Sequence, residues 1–255
     1  MLAFDGDSVK TNKHLSEVQD GNLPTLAVNK IFRAIEGEGI NIGMPEVFVR
    51  LQGCQIGCRY CDAPAALKRL PPNYTPAAVL AEVERLGLTA KRLSITGGDP
   101  LAAYQRKGLG ELLHLAKEAG YWINLEDHGL TPLADAQEVY AQVDFISADF
   151  KTPAGGSCGK RDFLQALLQN YPHKLQIKSV IMDERDFQWA LQNWQALRPW
   201  PPTVAWVLTP AFNLGEALPT ERIKQIYDWN YQAGGIFKVI IQQHKVVFGA
   251  NRDDV

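Results

Sequence analysis

Four cysteines in 255 residues are too few for a disulfide framework. Three of them, Cys54, Cys58 and Cys61, fall within eight residues, a clustering that suits metal binding in a reducing compartment. Charge of one sign is also missing: 26 basic against 28 acidic residues leave a formal charge of -2. Such a chain has no global field to draw in phosphate backbones, and no nucleic-acid partner is expected. No apolar run approaches the length needed to cross a bilayer, and no basic n-region leads into an apolar h-region at the N-terminus. The expectation is a cytoplasmic chain with no membrane partner. Internal repeats and low-complexity linkers are absent too. What is there is ordinary globular composition, 46% hydrophobic and 21% charged, which excludes disordered and fibrous classes.

The length lies at the upper end of what one hydrophobic core supports, so a single domain over residues 25–255 is expected, preceded by a polar, unpatterned extension over residues 1–24. Beyond that extension, short β-branched runs alternate with amphipathic helical stretches. The best-marked helix starts at Thr75-Pro76, an N-cap followed by proline at the first helical position, and stops near Gly87, a residue suited to a left-handed C-cap. Strands are expected at Val47–Leu51, Arg92–Ile95, Trp122–Leu125, Phe145–Ala148, Leu175–Ile181, Val204–Leu208 and Phe237–Ile241. The alternation implies an α/β fold with a mainly parallel sheet. Parallel βα units gather their ligands at the carboxyl ends of the strands. There the sequence places the cysteines, Thr96-Gly97-Gly98-Asp99-Pro100, Glu126-Asp127-His128-Gly129, Asp149-Phe150-Lys151, Thr209-Pro210 and Gln242-Gln243-His244-Lys245.

The cysteines form CxxxCxxC, which lets one short loop wrap three thiolates around a compact centre. An iron-sulfur cubane held by three protein ligands leaves one iron free for an external molecule. The alternative is structural zinc, normally closed by four ligands in two-plus-two spacings. That reading would need His14 or Cys158 recruited from a distance. The Gly37-Glu38-Gly39 and Gly43 run has the wrong spacing for a dinucleotide loop, and no capped helix follows it.

CxxxCxxC after a strand, with Tyr60 before the third cysteine, resembles the signature of the radical S-adenosylmethionine superfamily. The resemblance implies a partial TIM-type βα barrel, a 4Fe-4S cluster on Cys54, Cys58 and Cys61, and S-adenosylmethionine chelated to the open iron through its amino and carboxylate groups. It implies that Tyr60 contacts adenine and that Gly97-Gly98-Asp99-Pro100, similar to the superfamily's GGEP motif, binds the methionine ammonium. Glu126, Asp149 and Lys151 complete the expected cosubstrate contacts.

Phe32-Arg33-Ala34-Ile35-Glu36-Gly37-Glu38-Gly39, Gly43, Pro45 and Val47-Phe48-Val49-Arg50-Leu51 resemble the opening of 7-carboxy-7-deazaguanine synthases. Asp149-Phe150-Lys151-Thr152-Pro153, the strand containing Lys178, and Gln243-His244-Lys245 extend the likeness over residues 31–245. The resemblance implies ring contraction of 6-carboxy-5,6,7,8-tetrahydropterin with loss of ammonia, magnesium assistance, a homodimer and an electron donor such as flavodoxin or ferredoxin. Arg50 is suited to the substrate carboxylate, Glu36 and Glu38 to its amino and ring N–H groups, and His244 to its other side. The sequence departs from the family at Ala63, where a magnesium-ligating threonine is usual, at Glu36, where glutamine is common, and over Glu126-Asp127-His128-Gly129. These departures keep open a radical enzyme for another substrate, such as a related heterocycle or a glycyl-radical protein. The cysteines alone keep open a zinc-stabilised binding module.

Overall fold

The computed structural model describes residues 24–213 and 215–249. The extension assigned to residues 1–24 therefore lies, apart from Pro24, outside the described residues. Eight strands form one sheet in chain order: β1 (Val28–Ile35), β2 (Pro45–Leu51), β3 (Arg92–Gly97), β4 (Trp122–Asp127), β5 (Phe145–Asp149), β6 (Leu175–Ile181), β7 (Ala205–Pro210) and β8 (Lys238–Val239). β1 pairs antiparallel with β2, and every later pair is parallel. Among the described residues β1 and β8 do not pair, so the barrel is open.

Six helices cover the outer face: α1 (Pro76–Gly87), α2 (Arg106–Glu118), α3 (Leu133–Gln142), α4 (Arg161–Asn170), α5 (Glu184–Ala196) and α6 (Thr220–Gln232); the short α7 (Gln243–Phe248) instead brings His244 and Lys245 to the cavity. α1 shows why. The Thr75 hydroxyl accepts from Ala78 N–H at 3.3 Å and Pro76 opens the helix. Val79, Val83 and Leu86, spaced i, i+4 and i+7, are buried against the sheet. Burying three such side chains contributes about 1.5–3 kcal/mol each. The helix ends at Gly87 as expected, but the positive φ falls one residue later, on Leu88 at 55°. Gly87 instead brings the helix end close to Val47.

Two expectations are corrected. β1 was not among the expected strands; Lys30 and Arg33 interrupt its apolar pattern, and its register shifts between Val28 and Lys30. Several strands also run further at their carboxyl ends than expected. Gly97, Glu126, Asp149 and Pro210 are the final or penultimate residues of strands rather than the first residues of loops.

Candidate active site

Side chains alternate across a strand, and here the two sets differ in polarity. Val47, Val49, Leu93, Ile95, Ile123, Leu125, Ile146 and Ile177 join the outer core beneath the helices. The intervening residues, among them Glu46, Arg50, Ser94, Thr96, Asn124, Glu126, Ser147, Asp149, Gln176 and Lys178, form a polar concave face. Barrel interiors are usually closed by layers of branched apolar side chains, so a polar interior marks a lined site.

This face has a floor and a rim. In the floor, Ser94 Oγ donates to Glu46 Oε2 at 2.8 Å and Asn124 Nδ2 donates to Ser94 Oγ at 3.0 Å. Gln176 Nε2 donates to Ser147 Oγ at 2.8 Å, and Gln176 Oε1 accepts from Ile40 N–H at 2.8 Å. Gly39, at φ 67°, passes so close over Gln176 that a Cβ would meet its amide.

Above the floor lies one cavity. It is lined by Cys54, Cys58, Tyr60 and Cys61 from the loop after β2, Gly97 at the end of β3 and Gly98 just beyond it, and Glu126, Asp149 and Lys151. Glu36, Glu38, Arg50 and His244 complete the expected set. Asp99 is the exception: its carboxylate accepts from Leu101 N–H at 3.1 Å and lines an outer groove with Arg69 and Tyr104. Sequence reasoning assigned no role to His128, Thr96 or Asp62, which line the cavity as well. Strand alternation carried the signal for Thr96.

The cysteine loop is tied down by its backbone. Gly53 N–H donates to Ala66 O at 2.8 Å, Cys54 N–H to Leu67 O at 3.0 Å and Arg59 N–H to Gly155 O at 3.1 Å. Gly98 allows the β3 loop to lie against it, since a Cβ there would sit 2.5 Å from Gly53 O and 2.8 Å from Ala66 O. The Tyr60 hydroxyl lies 3.3 Å from Thr152 Oγ1, which itself donates to Val180 O. His128 Nε2 lies 3.1 Å from Gly98 O, and its Nδ1 is buried without a partner.

Charges on the rim are paired. Lys178 Nζ lies 2.6 Å from Glu38 Oε2 and 3.7 Å from Glu126 Oε1, while Glu126 Oε2 accepts from Thr96 Oγ1 at 2.6 Å. Lys151 Nζ donates to Asp149 Oδ2 at 2.6 Å. Burial alone would raise the Glu38 pKa, but Lys178 outweighs it and holds the carboxyl well below its ordinary range. Burial would lower Lys178, yet Glu126, Glu38 and Asp149 hold it above the usual ammonium value. Burial lowers the His244 pKa, against the opposing pull of Glu38 and Asp62. Burial raises Cys58 and Cys61; in Cys54 the same burial is outweighed by His128 and the loop backbone, and its pKa is lowered.

The donor chemistry fits an iron-sulfur cluster. Three half-buried thiols face one cavity, and Cys158, the other cysteine weighed for a zinc site, is exposed and lies outside that lining. Among the described residues, Glu38, Asp62 and His244 are the three potential ligands drawn within 4.8 Å of one another; the cysteines are not such a set. Thiolates sharing one tetrahedral zinc at about 2.3 Å would lie roughly 3.8 Å apart, so the loop suits the wider cubane. His14 lies outside the described residues. A magnesium ion fits poorly. Ala63 offers no side-chain oxygen, His244 offers nitrogen, and the two carboxylates already face Lys178 at 2.6 Å and Lys245 at 3.7 Å.

A family profile described as the Radical SAM superfamily matches residues 48–154. The 7-carboxy-7-deazaguanine synthase of Methanopyrus kandleri is 33% identical over 190 residues, covering 66% of this chain and 74% of that protein. The protein of the same name from Leptospira interrogans is 26% identical over 251 residues, covering 91% of this chain and 98% of its own length. In fold, the chain is similar to the crystal structure of QueE from Escherichia coli, with a TM-score of 0.62 at 20% identity over 86% of this chain and 95% of that one.

Proposed function

The chain belongs to the 7-carboxy-7-deazaguanine synthase family, and from that premise we propose that it is a radical S-adenosylmethionine lyase converting 6-carboxy-5,6,7,8-tetrahydropterin to 7-carboxy-7-deazaguanine with loss of ammonia. The observation that carries this reading is a single cavity lined both by three thiols and by a ring of charges suited to a carboxylated heterocycle. Cys54, Cys58 and Cys61 would hold the 4Fe-4S cluster as its three protein ligands. Once bound and reduced, cluster and cosubstrate supply a 5′-deoxyadenosyl radical for hydrogen abstraction.

The remaining work belongs to this chain's own side chains. Gly97, Gly98 and the Asp99 turn present backbone to the methionine end of S-adenosylmethionine, while Tyr60, Glu126, Asp149 and Lys151 flank the rest of it. Arg50, whose guanidinium carbon lies 5.0 Å from the centre of the Phe32 ring, faces the cavity to receive the substrate carboxylate. Glu38, held ionised by Lys178, accepts hydrogen bonds from ring N–H and amino groups, and His244 stands on the same side of the cavity, its ring within 4.8 Å of that carboxylate. Lys178 also fixes Glu126, so one buried ammonium holds two rim carboxylates in place.

Magnesium enters no step of this reading, because Lys178 and Lys245 already supply positive charge where the ion would sit. The electron donor is of the flavodoxin or ferredoxin type, and the working form is a cytoplasmic homodimer. No helix among the described residues is long and apolar enough to cross a membrane.

The test is anaerobic incubation of cluster-loaded protein with the carboxytetrahydropterin, S-adenosylmethionine and a reductant, with and without magnesium. Carboxydeazaguanine is expected in both conditions. Formation of 5′-deoxyadenosine without the deazapurine would overturn the substrate assignment, and product only with magnesium would overturn the metal-independent reading.

A further inference from the structure

At the inner end of the cavity, the β1–β2 hairpin brings two glutamates together. Ala34 is in register with Glu46, and Glu36 follows two residues later on the same face, its N–H donating to Met44 O at 2.7 Å. Both side chains are buried, Glu36 at 4% and Glu46 at 1% exposure, and Glu36 reaches the cavity. Buried polar atoms require partners, and here donors are short. Glu36 Oε1 accepts from Glu38 N–H at 3.1 Å and its Oε2 has only a long contact, 3.4 Å, from Asn124 Nδ2. Glu46 Oε2 accepts from Ser94, but Glu46 Oε1 meets no donor, and neither does Asn124 Oδ1 beside it.

The surrounding charge does not make up this shortage. Glu38 from the loop after β1 and Glu126 on β4 add negative charge. Lys178 on β6 is engaged by those two carboxylates, and Arg92 on β3, stacked on the Trp122 ring with two buried guanidinium nitrogens that meet no acceptor, lowers Glu46 by less than burial raises it. Two adjacent buried carboxylates in such a setting do not both ionise.

We propose that Glu36 and Glu46 hold one proton between them and that, with a ligand bound, it resides on Glu36 and points into the cavity rather than toward Glu46, so that the pair carries a single negative charge and Glu36 presents a neutral carboxyl group. Resting on the pterin reading above, this makes Glu36 a specificity-determining residue. Its hydroxyl donates to a ring carbonyl or bare ring nitrogen, while ionised Glu38 accepts from a neighbouring N–H. A donor beside an acceptor matches the lactam edge of a 4-oxopteridine and mismatches a 4-amino analogue, which offers a donor where the carbonyl stood. Burial is the leading cause raising both groups: Glu36 goes well above the carboxylate range and Glu46 to about 7.

Two measurements on the full chain test the proposal. The first needs no ligand: infrared difference spectra of wild type against Glu36→Gln and Glu46→Gln at neutral pH. A protonated-carboxyl carbonyl band that shifts in deuterated water and disappears in both variants supports the shared proton, and its absence from the wild type overturns it. The second is binding of 6-carboxypterin followed by fluorescence. Glu36→Gln, permanently neutral and a donor, is expected to bind within about threefold of wild type near pH 6, and wild type to weaken about tenfold relative to that variant by about pH 8.5. A wild-type to variant ratio that does not change with pH overturns the proposal. If the infrared band is present but neither protein binds the pterin, the shared proton stands and the pterin reading falls.

Discussion

At the residue scale, the sequence displayed what chemistry places at loop positions and concealed what packing places inside strands. The three cysteines, Tyr60 and the glycine pair stand out by type and spacing alone. Lys178 does not: within Leu-Gln-Ile-Lys-Ser-Val-Ile it is one of three polar residues in a strand, and its importance emerges only when it meets Glu126 on β4 and the Glu38 loop. Replacing Lys178 by Met leaves Glu38 and Glu126 buried without their cation, and the expected loss is about 3–5 kcal/mol of unfolding free energy. Denaturant titration checks this, and the double substitution with Glu38→Gln is expected to recover part of the loss. Glu46 gives a pH signature of the opposite kind. Its pKa is raised from 4.5 to about 7 in the folded chain, chiefly by burial. Its stabilising contribution is therefore full below the unfolded value and is lost as pH rises through the folded one. Glu46→Gln cannot ionise, so its melting temperature relative to wild type is expected to rise between about pH 5 and pH 8, equivalent to about 1–3 kcal/mol. A constant difference across that range would contradict the buried-acid account.

At the scale of elements, the parallel strands and α1 were legible because period-two runs and capping residues are local signals. The ends were less so. Backbone pairing carried β3, β4 and β5 past their apolar residues, so polar side chains expected in loops became rigid strand positions. β8 went the other way. Among the described residues it pairs only with β7, and only Lys238–Val239 of the expected Phe237–Ile241 is strand. After α1, Ala90 N–H donates to Gly87 O at 2.8 Å and closes a tight turn in which Leu88 takes φ 55° and ψ -109°. That conformation favours glycine. Leu88 is 57% exposed and loses little burial on replacement. Leu88→Gly is accordingly expected to raise stability by about 0.5–1 kcal/mol, read as a higher melting temperature. An unchanged or lower value would show that the turn is not strained.

At the scale of the whole molecule, the open parallel barrel follows from alternating elements, whereas the antiparallel β1 that begins it does not. That hairpin matters because it delivers Glu36 and Glu38 to a rim otherwise built from parallel strands. Polar side chains on the concave face and apolar ones beneath the helices follow from one alternation read on two sides, and they leave a lined cavity where other barrels are filled. Every functional assignment depends on the thiolates of Cys54, Cys58 and Cys61 jointly holding a cluster with one iron open to S-adenosylmethionine. Electron paramagnetic resonance of the anaerobically reconstituted, reduced protein tests this most directly when recorded before and after adding S-adenosylmethionine. With about four irons and four sulfides per chain, the account predicts a cluster signal that changes on addition and vanishes in each cysteine-to-alanine variant. Zinc in place of iron, or a cluster signal indifferent to S-adenosylmethionine, would contradict it.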